Sequence, residues 1–220
     1  LGELVAKRPN FVFLLSDDQG WVQTSTQMDP DDPSTRSDYF QTPNIDTFFE
    51  SGMRFVRGYS PGTYCMPTRR SIQVAQSPLK HAFNGRPVPE WTSDYKQLAS
   101  IPRVLKAADT DYRAAHFGKW DLRYDDPDPA LLGYDVSDGA TGNGEGNVGA
   151  RKRNGRMDKS ALNPSDDPKV IFDLTERARA FMQQQVEADK PFFLQLSHYA
   201  VHLSVFFRQE SYDEVLDWEK

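Results

Sequence analysis

A single cysteine, Cys65, stands in 220 residues, so no internal disulfide can brace the fold and packing has to do it. Histidine is nearly as scarce. His81, His116 and His198 fall at no metal-ligand spacing, and a structural role is the simplest reading of each. No apolar run approaches the ~18 residues needed to span a bilayer, which excludes a transmembrane helix. Positive charge is in deficit, with 26 Lys and Arg against 32 Asp and Glu and a net charge of −6, which argues against a general nucleic-acid or anionic-membrane binder. There is no internal repeat, and no methionine at the start. Opening on Leu1-Gly2-Glu3 is the expected mark of a trimmed chain, in which a targeting peptide would not be visible. One cysteine fits either a reducing or an oxidising compartment.

What is present is enough for a core. At 38% hydrophobic residues the chain is expected to form one domain. Residues 10–16 (Asn-Phe-Val-Phe-Leu-Leu-Ser) form a continuous apolar run of strand length, the pattern of a strand buried on both faces, and end on Asp17-Asp18. Residues 24–41 are rich in Asp, Ser and Pro and read as a loop. Thr42-Pro43 starts a helix that Gly52 stops, and residues 53–59 suit a strand. Further helices are predicted over 67–76 and 100–108, a strand over 112–117, an irregular surface insertion at about 138–168, and a long amphipathic helix over 170–186. A strand at 192–197 and a helix from about 210 to the chain end complete the series. Strands alternating with helices predict an α/β fold with a mainly parallel sheet flanked by helices, and such sheets place their sites beyond the strands' carboxyl ends. Asp17-Asp18, Lys119 and His202 all closely follow predicted strands. The phenylalanines at 11, 13, 192 and 193 read as core.

Chemistry concentrates around Tyr64-Cys65-Met66-Pro67-Thr68-Arg69-Arg70. A cysteine at a helix start, beside two guanidinium groups, lies in a positive field that activates sulfur and attracts anions. The Cys-x5-Arg spacing of tyrosine phosphatases is missing, because position 71 is Ser. The local signature of a papain-type nucleophile is missing too. Cys-x-Pro-x-Arg remains. Two adjacent carboxylates after a buried strand suit a hard divalent cation, although Asp17-Asp18 taken alone reads more simply as a solvated turn.

Cys65-Met66-Pro67-Thr68-Arg69, followed by a helix, resembles the signature of the formylglycine-dependent (type I) sulfatases. Four further segments agree in order: Arg8-Pro9-Asn10 leading to Asp17-Asp18-Gln19-Gly20-Trp21; Thr42-Pro43-Asn44-Ile45-Asp46 with Gly52-Met53-Arg54-Phe55; Phe117-Gly118-Lys119-Trp120; and Lys190-Pro191-Phe192-Phe193-Leu194 ending at His202. The resemblance runs from Arg8 to about His202 and implies the alkaline-phosphatase-like fold, of which these residues would be the N-terminal portion. It implies that Cys65 is oxidised to formylglycine by a formylglycine-generating enzyme, and that Asp17, Asp18 and residue 65 contact a divalent cation, usually calcium. Arg69 would steady the formylglycine and its sulfate, and Lys119 and His202 would hold sulfate oxygens. The implied reaction is hydrolysis of a sulfate ester, by resemblance that of a sulfated carbohydrate or polysaccharide, by an exported (periplasmic or secreted) enzyme. The remaining metal ligands would come from a C-terminal segment or a second polypeptide.

Two departures stand out. Gln73-Val74-Ala75-Gln76 occupies the place of a Leu-Thr-Gly-Arg segment, and Asp121 stands where the family's lysine motif continues Trp-His-Leu. Beside the sulfatase reading stand a phosphonate or phosphate ester hydrolase on the same fold and a protein that binds sulfated ligands without cleaving them. The cluster Arg151, Lys152, Arg153 and Arg156 reads most simply as a solvated loop, and alternatively as a guide for a polyanionic substrate.

Overall fold

The computed structural model describes residues 8–81, 98–123 and 127–218. They form two compact units: Leu1–Asp17 with Pro61–Lys220, and Asp18–Ser60. In the smaller unit, helix α1 (Pro43–Glu50) is tied to the preceding loop through Asp46, whose carboxylate accepts from the hydroxyls of Ser25 and Thr26, both at 2.6 Å. Residues 53–59, expected as a strand, form none. They find no ladder partner among the described residues, and Met53, Phe55 and Tyr59 are left exposed. A strand needs a neighbour as well as suitable residues.

The larger unit holds strands β1 (Phe11–Leu15), β2 (Arg113–Gly118), β3 (Val136–Ser137), β4 (Lys152–Arg153), β5 (Arg156–Met157), β6 (Leu162–Pro164), β7 (Phe192–Ser197) and β8 (Val205–Phe207). Its helices are α2 (Cys65–Val74), α3 (Pro78–His81), α4 (Ile101–Ala108), α5 (Ile171–Glu187) and α6 (Gln209–Trp218). The central sheet has the order β1-β7-β2-β3, with every pairing parallel. β7 lies between two neighbours and all six of its residues are buried, the four apolar ones in the two cores and Gln195 and Ser197 in hydrogen bonds. Ala115, Phe117, Phe192, Leu194 and Leu196 pack one face against Leu174, Ala178 and Phe181 of α5. Ala114 and Phe193 on the other face meet Val74, Trp120, Leu122, Leu132 and Tyr134.

β1 departs from its pattern. It pairs only with β7, and Phe11, Val12 and Leu14 are 41%, 48% and 57% exposed. Phe11 is therefore not core among the described residues, whereas Phe13 packs against the second cluster and Phe192 and Phe193 are buried. Residues 138–168 also carry some regular structure: β4 and β5 form an antiparallel hairpin, and β6 pairs in parallel with β8.

Helix α2 begins at Cys65, two residues before the predicted start. Pro67 is tolerated there because the first amides of a helix have no partner inside it. A buried polar network bolts this helix to the sheet. Gln73 Nε2 donates to Gln195 Oε1 (2.9 Å), the Tyr134 hydroxyl donates to the same amides, and Gln195 Nε2 donates to Ser197 Oγ (3.1 Å). Gln73, one of the residues that departs from the family's segment, thus fixes the helix carrying Cys65 and Arg69.

Candidate active site

The site lies at the carboxyl ends of β1, β2 and β7. Lys119 is delivered by Gly118, whose φ is +91° and whose missing side chain is required: a Cβ there would lie 2.0 Å from the Ser197 carbonyl oxygen. Lys119 N donates to that same carbonyl (2.8 Å), which locks the end of β2 to the end of β7. Asp17, two residues past β1, exchanges backbone hydrogen bonds with the turn after β7: its N–H donates to the Ala200 carbonyl (2.8 Å), and its carbonyl accepts from Val201 (2.7 Å).

These placements converge. The buried Asp17 carboxylate accepts from Lys119 Nζ at 2.7 Å on one oxygen and from Arg69 Nη2 at 3.2 Å on the other. Arg69 is one helical turn beyond Cys65 and also donates to the Lys119 carbonyl. Arg69 and Lys119 are 4% and 0% exposed, so neither cation would be tolerated there without a counter-charge.

Residue 65 opens α2, where the helix N-terminus favours negative charge. Its thiol is nevertheless not activated, against the expectation from sequence. Burial raises its pKa, and hydrogen bonding to Asp121 and that residue's charge add to the rise, outweighing Lys119 and Arg123. The sulfur of Cys65 is therefore a poor nucleophile in this setting. Asp121 Oδ1 accepts from Arg123 Nε (2.9 Å), while its buried Oδ2 lies 3.4 Å from Lys119 Nζ. Burial opposes ionisation of Asp121, but hydrogen bonding to Arg123 and Cys65 and the charges of Lys119 and Arg123 prevail and hold its carboxyl below the usual range. Arg123 Nη2 in turn reaches Cys65 Sγ at 3.8 Å.

Arg70, which the sequence left without a role, is fully buried. It donates to the carbonyls of Leu122, His81 and Arg123, a latch between α2 and the segment after Lys119. His81 and His116 are buried against Ser71 and Ser197.

Of the residues singled out from sequence, Asp17, Arg69 and Lys119 are in direct contact, and Cys65 joins them through Asp121. His202 sits in the turn after β7, its Nδ1–H donating to the Leu203 carbonyl (2.7 Å), on the segment bonded to Asp17. Asp18 belongs to the smaller unit and takes a φ of +60°. Three further charged residues stand beside them that the sequence did not assign to the site: Asp121, Arg123 and Lys169. Lys169 is buried in the short turn just before α5, donates to Asn147 Oδ1 (2.6 Å), and lies within electrostatic range of Asp17 and Lys119. Burial drives its pKa down to about 8. Only a positive φ (+58°) marks its position, and no sequence pattern reports that.

Asp17 and Asp18 are hard oxygen donors of the kind calcium takes, but such an ion needs six to eight ligands. Among the described residues no three His, Cys, Asp or Glu side chains gather as a metal centre. The donors present fit the ion's chemistry without completing a site.

The sulfatase family model matches residues 9–216. Arylsulfatase G of Rattus norvegicus is 30% identical over 144 residues, 61% of this chain and 24% of that protein. N-acetylgalactosamine-6-sulfatase of Homo sapiens is 29% identical over 125 residues, 52% of this chain and 22% of that protein. The chain thus spans about a quarter of the length of these curated relatives. The crystal structure of Ps i-CgsB aligns with a TM-score of 0.67 at 20% identity, over 97% of this chain and 49% of that one. A structure solved in complex with its substrate D-glucosamine-2-N,6-O-disulfate aligns at 0.57 and 22% identity, over 89% of this chain and 35% of that one. These likenesses show the alkaline-phosphatase-like fold, and the extent of the family match settles the rest: the chain belongs to the sulfatase family.

Proposed function

We propose that this chain carries the sulfate-binding and nucleophile-bearing part of an enzyme that hydrolyses sulfate esters of carbohydrates. The observation that carries the reading is the buried cluster in which Arg69 and Lys119 share the Asp17 carboxylate, beside residue 65 at a helix N-terminus. In this reading Cys65 is the substrate of a formylglycine-generating enzyme in an exported, periplasmic or secreted protein. The aldehyde hydrate so formed supplies the oxygen nucleophile that the raised thiol pKa denies to sulfur.

Arg69 and Lys119 hold sulfuryl oxygens. Both are preset by Asp17, so little reorganisation is needed as charge shifts toward the leaving oxygen. His202, on the turn tied to Asp17, completes the cradle on the leaving-group side. Asp121 faces residue 65 and keeps Arg123 directed toward it. Asp17 and Asp18 are the carboxylates through which a divalent cation would be held with ligands from elsewhere. Bound there, it would act as a Lewis acid on the sulfuryl group. The relatives named for N-acetylgalactosamine-6-sulfate cleavage, and the fold neighbour bound to a glucosamine disulfate, support a sulfated carbohydrate as the substrate class.

The test compares turnover of nitrophenyl sulfate and nitrophenyl phosphate by the full protein produced with a formylglycine-generating enzyme. Preferential hydrolysis of the sulfate is expected. Preferential hydrolysis of the phosphate would replace this reading with the phosphoesterase one. One observation favours a binding-only protein, the carboxylate of Asp121 against residue 65. Tight binding of sulfated sugar without turnover, in fully converted protein, would establish it.

A further inference from the structure

We propose that the β4–β5 hairpin is a second anion-binding surface, which engages additional sulfate groups of a polymeric sulfated substrate. The proposal rests on the sulfatase reading of the site and names the kind of molecule that site serves.

Arg151, Lys152, Arg153, Arg156 and Lys159 place five cations within nine residues, all exposed. Carboxylates outnumber cations in this chain, and several exposed or half-exposed cations elsewhere find them: Arg8 with Asp109 and Asp111, Lys106 with Asp135, Arg177 with Asp138 and Asp173, Arg179 with Glu176. Among the described residues none of the five hairpin cations closes such a pair. The one carboxylate in their midst, Asp158, is committed through Oδ1 to the N–H and hydroxyl of Ser160. In an acidic protein this is a local concentration of unneutralised positive charge.

The geometry brings like charges together. Arg153 and Arg156 stand directly opposite one another across the two strands, and like charges in that relation repel. The turn between them, Asn154-Gly155, has φ values of +51° and +74°, the conformation of a tight two-residue hairpin, so the arginines are held together by the turn. Arg153, Asn154, Arg156, Lys159 and Ser160 line an open concavity of about 710 Å³.

The hairpin is also connected to the catalytic segment. Asp158 N donates to the Arg151 carbonyl to close its base, and Arg151 N donates to Asn163 Oδ1 (2.9 Å). Buried Asn163 donates to the Val205 carbonyl, and Ser204 Oγ donates to the Asp158 carbonyl (3.4 Å). Ser204 is two residues from His202, so the hairpin is tied by hydrogen bonds to the segment that carries a proposed sulfate-holding residue. Each surface contact with a sulfate is weak and screened by salt. Several on one chain act together, because the second and third are intramolecular once the first has formed. A substrate with one sulfate gains nothing from them, and a repeating sulfated polysaccharide gains most.

The experiment uses the full protein and a variant with Arg151, Lys152, Arg153 and Arg156 all changed to Ser, together with Arg153→Glu/Arg156→Glu. Steady-state kinetics are measured on a sulfated polysaccharide and on nitrophenyl sulfate, and retention on immobilised sulfated and desulfated polysaccharide is measured in parallel. Expected is a rise in KM for the polymer of about tenfold or more at ~50 mM salt, larger for the charge reversal and shrinking at ~0.5 M salt, with nitrophenyl sulfate turnover unchanged. Unchanged polymer KM and retention would overturn the proposal, as would equal losses on both substrates. Equal competition by single-stranded DNA of matched charge would overturn it in favour of unspecific polyanion binding. If neither ester is hydrolysed, selective loss of retention on sulfated polymer still supports the hairpin, and the failure lies with the catalytic reading alone.

Discussion

The chain holds two groups of cations that differ in almost everything but charge. Arg69, Arg70 and Lys119 are buried, and each is matched by carboxylates or carbonyls. Arg151 to Lys159 on the hairpin are exposed and close no ion pair among the described residues. Burial makes the first group expensive to hold and therefore fully specified in geometry, as positioning a transferring group demands. Exposure makes the second cheap, mobile in its side chains and sensitive to salt, as gathering a long polyanion demands. The difference teaches that an acidic protein can direct an anion twice, once by a fixed pair and once by a local excess.

The comparison can be broken or sharpened by substitution. The largest effect belongs to Arg69→Met. Activity is expected to fall by about 10³-fold, as when a preorganised charge contact is deleted. Unfolding free energy should fall by only about 1–2 kcal/mol, because Asp17 keeps Lys119 while the Lys119 carbonyl loses its donor. Arg70→Met, one residue along, should do the reverse: two buried carbonyls and one half-buried carbonyl lose their donor, at a cost of about 3 kcal/mol in denaturant unfolding, with KM preserved in whatever folds. Were the two variants to behave alike, the division between positioning and latching would fail.

Next in size is acid stability. His116 is fully buried, and burial, with the charge of Arg69, lowers its pKa from 6.5 to about 3. Below pH 6.5 the unfolded chain gains a proton that the folded chain refuses, so this contribution is full above that pH and is lost as pH falls toward 3. Unfolding free energies measured between pH 7 and 4 should fall with a slope that His116→Phe flattens; an unchanged slope would remove His116 as its source.

The smallest effects sharpen the picture from the other side. Ala75, at the C-cap of α2, holds a left-handed φ of +53° in a place where the family commonly has glycine. Ala75→Gly should stabilise by about 0.5–1 kcal/mol, read as a raised Tm. The hairpin serines should shift stability by less than about 0.5 kcal/mol, since the replaced side chains are exposed. A large loss there would make the hairpin structural.

Much of this was legible in the sequence, because buried parallel strands announce themselves and end where sites form. The apolar run at 192–197 became the fully buried β7, and Lys119 and Asp17 came off strand ends into one cluster. What was not legible depended on neighbours. The same apolar signal at 10–16 gave an edge strand with exposed side chains, since pattern does not say what lies alongside. Residues 53–59 suited a strand but find no partner among the described residues. Lys169 reaches the site through backbone strain after Pro168, and Arg70 is buried because its carbonyl acceptors come from segments far along the chain. The activated thiol expected of Cys65 failed for two reasons that only the fold shows, its burial first and then the carboxylate of Asp121 at its side.

That carboxylate makes the fate of residue 65 the central question. Peptide mass spectrometry across residues 61–70 of protein taken from its native host answers it directly. The account predicts the mass loss that accompanies conversion of the Cys65 thiol to an aldehyde, together with hydrolysis of nitrophenyl sulfate that disappears in Cys65→Ala. Unmodified thiol throughout, in protein that still hydrolyses the ester, would contradict it.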